Sequence, residues 1–177
     1  MGYTTDFNGE FKFSRPLTVK EKKYLNTFSK TRRMCRDVNK IMELHKGKHG
    51  NPHPLDDTAE GIYGKQGEYF AKDDGNFGQN DDTTVLNHNG PGNMPGLWCQ
   101  WEPDEDGKHL RWDNGEKFYN YVEWLKFLIE HFFNKWGVSI NGECEWAGES
   151  SDDLGKIMVK DNIVTVLEGQ VTYKTRR

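Results

Sequence analysis

Hydrophobic positions in the second half of the chain repeat with the period of an α-helix. When Leu125 is placed at the centre of one face, the apolar residues from about 116 to 136 recur on that face at intervals of three or four. The pattern predicts a long, aromatic-rich helix over about 116–136. Phe127 departs from the pattern, because it falls in the polar stripe on the opposite side. We therefore expect Phe127 to lie on an exposed surface that contacts a partner.

A second helix is predicted near the N-terminus, over about 19–34. Thr18 stands just before its first turn, and Glu21 follows three residues later. In this arrangement the threonine hydroxyl accepts a hydrogen bond from the backbone N–H of Glu21, while the glutamate carboxylate accepts one from the N–H of Thr18. Such a capping box is a signature of a helix N-terminus.

Apolar and polar residues alternate along several other segments, which is typical of strands with one buried face. Asp161 and Asn162 separate two of these segments and suit a tight hairpin turn. The sequence therefore predicts a single α+β domain over 1–177, in which an antiparallel sheet is packed by the two helices. The predicted strands lie at about 7–13, 96–101, 109–112, 138–146, 156–160 and 163–172.

Regular patterning is nearly lost in the glycine-rich region between about 46 and 93. Only 61–71 has the pattern of a strand or hairpin. Irregular segments of this length are uncommon in compact domains, so we expect the region to be functional or partly mobile. Its glycines, together with Tyr69 and Phe77, make it a candidate flap that closes over a ligand.

Aromatic residues are frequent in a chain of modest overall hydrophobicity. Hydrophobic residues make up 34% of the sequence and aromatic residues 13%, so we expect a core built from a few large rings. No apolar run approaches the roughly 20 residues that span a bilayer, and no signal-peptide pattern is visible. Cys35, Cys99 and Cys144 are scattered and suit reduced thiols. These features predict a cytoplasmic protein without a membrane partner.

Charge is distributed unevenly along the chain. Residues 1–50 carry 12 Lys or Arg against 5 Asp or Glu, while residues 51–177 carry 12 against 23. In one interpretation the basic N-terminal part packs on the acidic remainder. In the other, the first helix presents an anion-binding face.

The basic cluster Lys30, Arg32, Arg33 and Arg36 contains the candidate anion site, in which the three arginines would bind the ligand. On a continuous helix Arg32 and Arg36 would be one turn apart, so that both guanidinium groups could close on one phosphate or carboxylate. The alternative is an intramolecular salt bridge to the acidic half of the chain. Nucleic acid is argued against, because the cluster is small, the net charge is −4 and no known recognition motif is present.

Glu143 and Glu145 form a second candidate constellation. They share the outward face of one predicted strand, about 7 Å apart. Two carboxylates at this separation can divide the roles of acid and base if their environments differ. They also suit an ordinary solvated strand face, a bound cation or a pairing with lysine or arginine.

Two loops have compositions that raise the question of a metal. His45, His49 and His53 are evenly spaced, but the intervening glycines and proline prevent a helix that would align them. The acidic loop 73–82 lacks the ordered ligand positions and closing glutamate of an EF-hand. We therefore predict no metal and no cofactor.

Several segments resemble a family of small proteins found in bacteriophage and bacterial genomes. The motifs that carry the resemblance include PGLWCQW, WDNGEKFYNYVEWLKFLIEHFF and NGECEWAGESSDDLGKIMVKDN. They cover most of the chain except the stretch around 45–60. The resemblance implies one complete domain in a phage or prophage setting. It carries no assigned activity and therefore no catalytic residue.

These observations lead to a first hypothesis, a non-enzymatic protein that binds a small anionic, nucleotide-like ligand. The aromatic residues would stack on its ring, the arginines would bind phosphate, and the glutamates would accept hydrogen bonds from base or ribose groups. In a phage setting, the ligand would be a host defence signal that the protein sequesters. The predicted ligand-binding residues are Arg32, Arg33, Arg36, Tyr69, Phe77, Trp98, Trp101, Glu143 and Glu145.

Two other hypotheses stay open. A hydrolase would use Glu143 and Glu145, or Glu149, as acid and base on a similar ligand. A protein-interaction module would work through Phe127 and the acidic surface. Self-association into a homo-oligomer is compatible with each of the three.

Overall fold

A sheet of six strands is the framework of the computed structural model, which describes residues 2–45, 58–80 and 83–176. Its strand order is β4-β5-β1-β6-β7-β8, and every neighbouring pair is antiparallel. The α+β class and the antiparallel sheet are confirmed. The strands are β1 (Thr5–Phe13), β2 (Cys35–Arg36), β3 (Val85–Asn87), β4 (Trp101–Pro103), β5 (His109–Trp112), β6 (Ile140–Gly148), β7 (Leu154–Lys160) and β8 (Ile163–Glu168), of which β2 and β3 form a separate ribbon.

The helices are shorter than the sequence pattern predicts. Among the described residues, no helix has both the length and the apolar run needed to cross a membrane. The helices are α1 (Val19–Ser29), α2 (Val38–His45), α3 (Ala59–Tyr63) and α4 (Tyr121–Leu128), and α4 continues into a π-helical turn over Ile129–Phe133.

Helix α1 begins as predicted and ends early. The capping box is present, because Glu21 N donates to Thr18 Oγ1 at 3.2 Å and Thr18 N donates to Glu21 Oε2 at 2.8 Å. The predicted end near residue 34 is wrong, because the helix stops at Ser29. There the Thr31 N–H and the Arg33 guanidinium both donate to the carbonyl of Phe28. A continuing helix would need that carbonyl for its own ladder.

The long helix predicted over about 116–136 also has different bounds in the structure. It starts at Tyr121 rather than near 116, because Lys117 and Asn120 have left-handed backbone angles, with φ of 60° and 54°, that a helix cannot include. Near its end the hydrogen bond from Asn134 N to Ile129 O spans five residues, the mark of a π-helical turn. Residues before and after this turn therefore cannot be placed on one helical wheel with 100° per residue.

Phe127 is buried, with 6% of its surface exposed, so the prediction of an exposed partner contact is wrong. The ring of Phe28 stacks on it with centroids 6.2 Å apart, and the rings of Tyr69 and His131 also contact it. The helix is therefore covered on the side that the wheel assigns to solvent. A helical wheel describes one helix alone, so it cannot show that residues from other parts of the chain cover one of its faces.

Aromatic rings fill the space between the sheet and the helices. Phe7 and Phe11 on β1 make edge-to-face contacts with Trp101, and Phe132 makes one with Phe28. Such contacts add about 0.5–1.5 kcal/mol per pair to the free energy of burial. The expectation of a ring-built core is confirmed.

The irregular region contains more helix than predicted. The strand predicted over 61–71 is wrong, because α3 begins at a Thr58 cap, whose hydroxyl accepts from Gly61 N at 3.0 Å, and ends at Gly64 with φ 77°. The predicted histidine cluster extends through residues 46–57, which lie outside the described part of the chain. The turn at Asp161 and Asn162 is confirmed, since both have positive φ, as a two-residue primed hairpin turn requires.

Two glycines allow β1 and β6 to pair closely. Gly9 has φ 132° and Gly142 has φ 150°. A Cβ at Gly9 would overlap the backbone oxygen of Glu143, and one at Gly142 would overlap that of Glu10. Neither backbone oxygen can move without breaking the central pairing of the sheet.

We predict that Gly9→Ala lowers the free energy of unfolding by at least about 2 kcal/mol, through left-handed strain and overpacking. Gly92→Ala is the matched control, because a Cβ there meets nothing within 4 Å. Urea unfolding of the two variants measures the difference. Equal midpoints would contradict the close approach of β1 and β6.

Candidate functional site

The predicted arginine clamp does not form. Since α1 ends at Ser29, Arg32 and Arg36 are not one helical turn apart, and this prediction is wrong. Arg33 and Arg36 are each 1% exposed, whereas Arg32 is partly exposed. Two of the three guanidinium groups are therefore inside the protein, where a ligand in the surrounding water does not reach them.

Arg33 is bound by backbone carbonyls. Its guanidinium donates to the oxygen of Thr31 at 2.8 and 3.1 Å, to that of Glu68 at 3.0 Å and to that of Phe28 at 3.1 Å. The same group lies 4.0 Å from the centre of the Phe28 ring. Burial lowers the pKa of Arg33 to about 10, against a raising effect of Tyr24. Among the described residues no carboxylate forms an ion pair with it. Arg33 is a structural cation.

Arg36 has a similar environment one loop further on. Its guanidinium donates to Thr84 Oγ1 at 3.0 Å and to the Gly78 carbonyl at 2.6 Å, and it stacks 3.9 Å from the centre of the Phe70 ring. These contacts tie β2 to the segments around residues 70, 78 and 84. The two buried arginines thus fix the described part of the irregular region.

Two of the predicted stacking residues are also engaged in the interior. Trp101 is fully buried, and its indole N–H donates to the Tyr121 carbonyl at 2.8 Å, so its predicted role as a ligand contact does not fit. Tyr69 is partly buried, and its hydroxyl lies 2.9 Å from Nδ1 of His131.

Glu143 and Glu145 lie on the outward face of β6, as predicted. One ammonium group bridges them, because Lys156 Nζ is 2.8 Å from Glu143 Oε2 and 3.3 Å from Glu145 Oε1. Both carboxylates are exposed and share the same partner. Their surroundings thus lack the asymmetry that separates an acid from a base.

Phe77 and Trp98 are the predicted ligand residues that the structure brings together at the surface. Their rings make an edge-to-face contact with centroids 5.5 Å apart, and Phe77 is 56% exposed. Phe77 also has φ 55°, which is rare for a bulky side chain and costs about 1–2 kcal/mol. An exposed aromatic residue held in an unfavourable backbone conformation is a feature that clusters at functional sites.

Asp74 holds the loop that carries Phe77. Its Oδ1 accepts from the backbone N–H groups of Asn76 and Gly78, both at 2.9 Å, and its Oδ2 accepts from that of Asn80 at 3.1 Å. Partial burial opposes ionisation, but these bonds outweigh it and lower the pKa of Asp74. The carboxylate organises the loop through backbone N–H groups, and no group of residues suited to hold a metal occurs in the described ranges.

A cleft of about 200 Å³ opens beside Phe77. It lies between the C-terminal part of α1 and the loop from Lys72, and we call it the aromatic–lysine cleft. Neither Lys30 nor Lys72 forms an ion pair within the described part of the chain. Lys30 belongs to the basic region seen in the sequence, while Lys72 was missed because it stands alone among acidic residues. The cleft is lined by Asn26, Thr27, Lys30, Lys72, Asp73, Gly75 and Phe77.

A second, wider depression of about 630 Å³ lies near the π-helical turn. Tyr69 is in its wall and bonds to His131, which the sequence analysis did not single out. The lining carries two glutamates and two lysines, so its charges balance. It is lined by Thr58, Glu60, Gly61, Gly64, Lys65, Glu68, Tyr69, Asn93 and Lys135.

Comparisons with protein-family models, with curated proteins and with solved structures found no match for this chain. The candidate site therefore rests on its own geometry. The family resemblance of the motifs stays a prediction.

We predict that Arg33→Met lowers the free energy of unfolding by about 3 kcal/mol or more, because buried carbonyls lose their donors. Arg32→Met is the matched control and should cost less than about 0.5 kcal/mol, since its partly exposed side chain makes no hydrogen bond in the described structure. Denaturant unfolding measures both. Similar losses at the two positions would show that Arg33 is not a structural cation.

We predict that His131 titrates below its ordinary pKa of about 6.5. Burial lowers the pKa of His131, and Lys135 adds to this effect, while Glu130 and Glu68 oppose it. The unfolded chain then binds a proton at a higher pH than the fold does. This contribution to stability is complete above the unfolded pKa and is lost as the pH falls towards the folded pKa.

NMR titration of the imidazole signals measures the His131 midpoint directly. His131→Gln should also reduce the loss of stability between about pH 7 and pH 5. A His131 midpoint at or above about 6.5, the ordinary value for imidazole, would contradict the prediction.

Proposed function

We propose that the protein binds a small anionic ligand with an aromatic ring, such as a nucleotide, in the aromatic–lysine cleft. The ring would stack on the exposed Phe77–Trp98 pair, and the anionic group would lie between Lys30 and Lys72. The single observation that carries the proposal is the exposed, strained Phe77, which contacts Trp98 and also lines a cleft with two lysines that form no ion pair in the described part of the chain.

The shape of the cleft limits the ligand. Ligand pockets usually have volumes of about 300–1,000 Å³, and this cleft of about 200 Å³ is smaller. It accommodates one part of a nucleotide while the other part lies against the open aromatic pair. A mononucleotide therefore fits the proposal better than a dinucleotide.

The charges of the cleft also favour this ligand class. Lys30 and Lys72 supply two positive charges, which the Asp73 carboxylate of the lining and the nearby Asp74 partly offset. Asp73 can also accept hydrogen bonds from amino or hydroxyl groups of a base or sugar. The C-terminal end of α1 nearby attracts cations and not anions, so the attraction for an anionic group has to come from the two lysines. This replaces the role that the sequence analysis gave to Arg32, Arg33 and Arg36.

Binding without turnover remains the proposal. Hydrolysis by Glu143 and Glu145 gains no support, because one lysine bridges both exposed carboxylates. The interaction module loses its basis in Phe127, which is buried. The motif resemblance adds the phage setting, in which the protein would sequester a host defence signal in the host cytoplasm.

A thermal-shift screen against mononucleotides, cyclic nucleotides and dinucleotides tests the proposal. A ligand at 100 times its Kd stabilises the fold by about 2.7 kcal/mol. We expect hits among mononucleotides, and chromatography should return the ligand uncut. A flat screen at millimolar concentrations would overturn the proposal.

The two lysines give a direct test of charge recognition. We predict that Lys30→Gln and Lys72→Gln each weaken binding about tenfold, and that the double variant weakens it further. Lys126→Gln is the matched control, because this exposed lysine lies on α4 and outside the cleft lining. Calorimetric titration at fixed salt measures the affinities. Equal losses in all three single variants would indicate only nonspecific attraction.

We predict that Phe77→Gly and Phe77→Ala both abolish ring stacking but differ in stability. Glycine adopts φ 55° without strain, whereas alanine keeps the left-handed cost of about 1 kcal/mol. Phe77→Gly should therefore be the more stable variant, although it binds no better than Phe77→Ala. If Phe77→Gly kept the wild-type affinity, the aromatic pair would not be the stacking surface.

A further inference from the structure

The two edges of the main sheet differ in how well they are protected from pairing with another strand. At one edge, β4 has three residues and ends at Pro103, which has no N–H, and the Ser29 hydroxyl donates to the Trp101 carbonyl. At the other edge, β8 has six residues with the sequence IVTVLE, without lysine or proline. Exposed edges of this kind are rare, because they pair readily with another strand.

The register of β8 shows which of its backbone groups are available. In the two-residue hairpin Lys160 faces Ile163, and the bond from Gly169 N to Leu154 O continues the same set of hydrogen-bonded pairs. Ile163, Thr165 and Leu167 therefore direct their N–H and C=O groups at β7. Val164, Val166 and Glu168 direct theirs at the open edge, where no described strand pairs with them.

The side chains of β8 are apolar on both faces of the sheet. Ile163 is 71% exposed and Leu167 48% on the outward face, and Val166 is 41% exposed on the face that carries the core. Beside Val166 in the same row lies the buried Ile157, and beside Val164 lies the buried Val159. The core therefore extends to this edge, and no other strand or helix of the described residues covers it there.

We infer that two copies of this chain pair through β8, antiparallel and about a two-fold axis at Thr165. In this register Val164 faces Val166 of the second copy, with their free N–H and C=O groups in hydrogen-bonding positions. Ile163 faces Leu167 of the second copy on the outward face. The two sheets join into one.

The sequence of β8 is complementary to itself in this register. Each of its four apolar side chains meets an apolar one, and Thr165 meets Thr165. Glu168, the single charged residue of the strand, falls opposite Asn162 at the end of the pairing. A two-fold interface requires such self-complementarity, because the same strand forms both sides of it. A second copy of this chain meets that requirement with the sequence of β8 itself, so we favour it over a strand of another protein.

Sedimentation velocity over a range of concentrations tests the pairing. We expect a mass of twice 20.6 kDa at micromolar concentration. Val166→Lys places one ammonium group on each side of the axis, diagonally across the pairing, and should weaken the dimer on the order of 100-fold. Val171→Lys is the control, because it alters an exposed valine just beyond β8 and should leave the dimer intact. A wild-type monomer, or a dimer that survives Val166→Lys, would overturn the inference.

A cysteine pair tests the register without relying on the stability of a variant. Thr165 and its symmetry mate form a non-hydrogen-bonded pair with Cα atoms about 4.5 Å apart, within the range of a disulfide. In a Cys35→Ser background, Thr165→Cys should oxidise to a covalent dimer. Ile163→Cys should not, because its own copy lies four residues away along the opposite strand. Rapid cross-linking at 163 in place of 165 would refute this register.

Discussion

The burial of two guanidinium groups is the constraint on which the arrangement of the loops depends. An ion taken out of water costs several kcal/mol unless its donors are satisfied. Arg33 meets this requirement with carbonyls from the end of α1 and from Glu68, and Arg36 does so with Gly78 and Thr84. The loops that supply these oxygens must therefore hold their positions for the fold to form.

The same constraint positions the aromatic–lysine cleft. The N–H of Arg32 donates to the Phe77 carbonyl at 2.9 Å, and Arg36 binds the carbonyl of Gly78, the next residue. Phe77 is thus held from both sides in a backbone conformation that it would not adopt by itself. In the proposed site, the buried arginines would act on the ligand through the loop that they fix, whereas Lys30 and the partly exposed Lys72 would contact it directly.

The sequence predicted those features whose causes are local. The capping box at Thr18 and the turn at Asp161 each depend on residues within a few positions, and both are present. The burial of Phe127 depends on Phe28, about a hundred residues earlier, and no periodicity reveals it. For the same reason, the sequence pattern predicted that the first helix continues to about residue 34 and presents accessible arginines. It could not show that Arg33 is buried against the carbonyl at the end of α1. Phe77 and Trp98 were recognised as candidates, but their contact needs the folded loop.

The strand order separates the two proposed surfaces. The cleft adjoins the β4 edge, since Ser29 at the end of α1 bonds to Trp101, while β8 forms the opposite edge. Pairing through β8 would therefore leave the cleft of each chain open to solvent. Coupling between the sites would have to cross the whole sheet, whose central pair β1 and β6 is fixed by the close contacts at Gly9 and Gly142. A sheet held in this way would favour independent ligand sites in the two proposed copies, because coupling requires an alternative arrangement of the sheet that both surfaces could select.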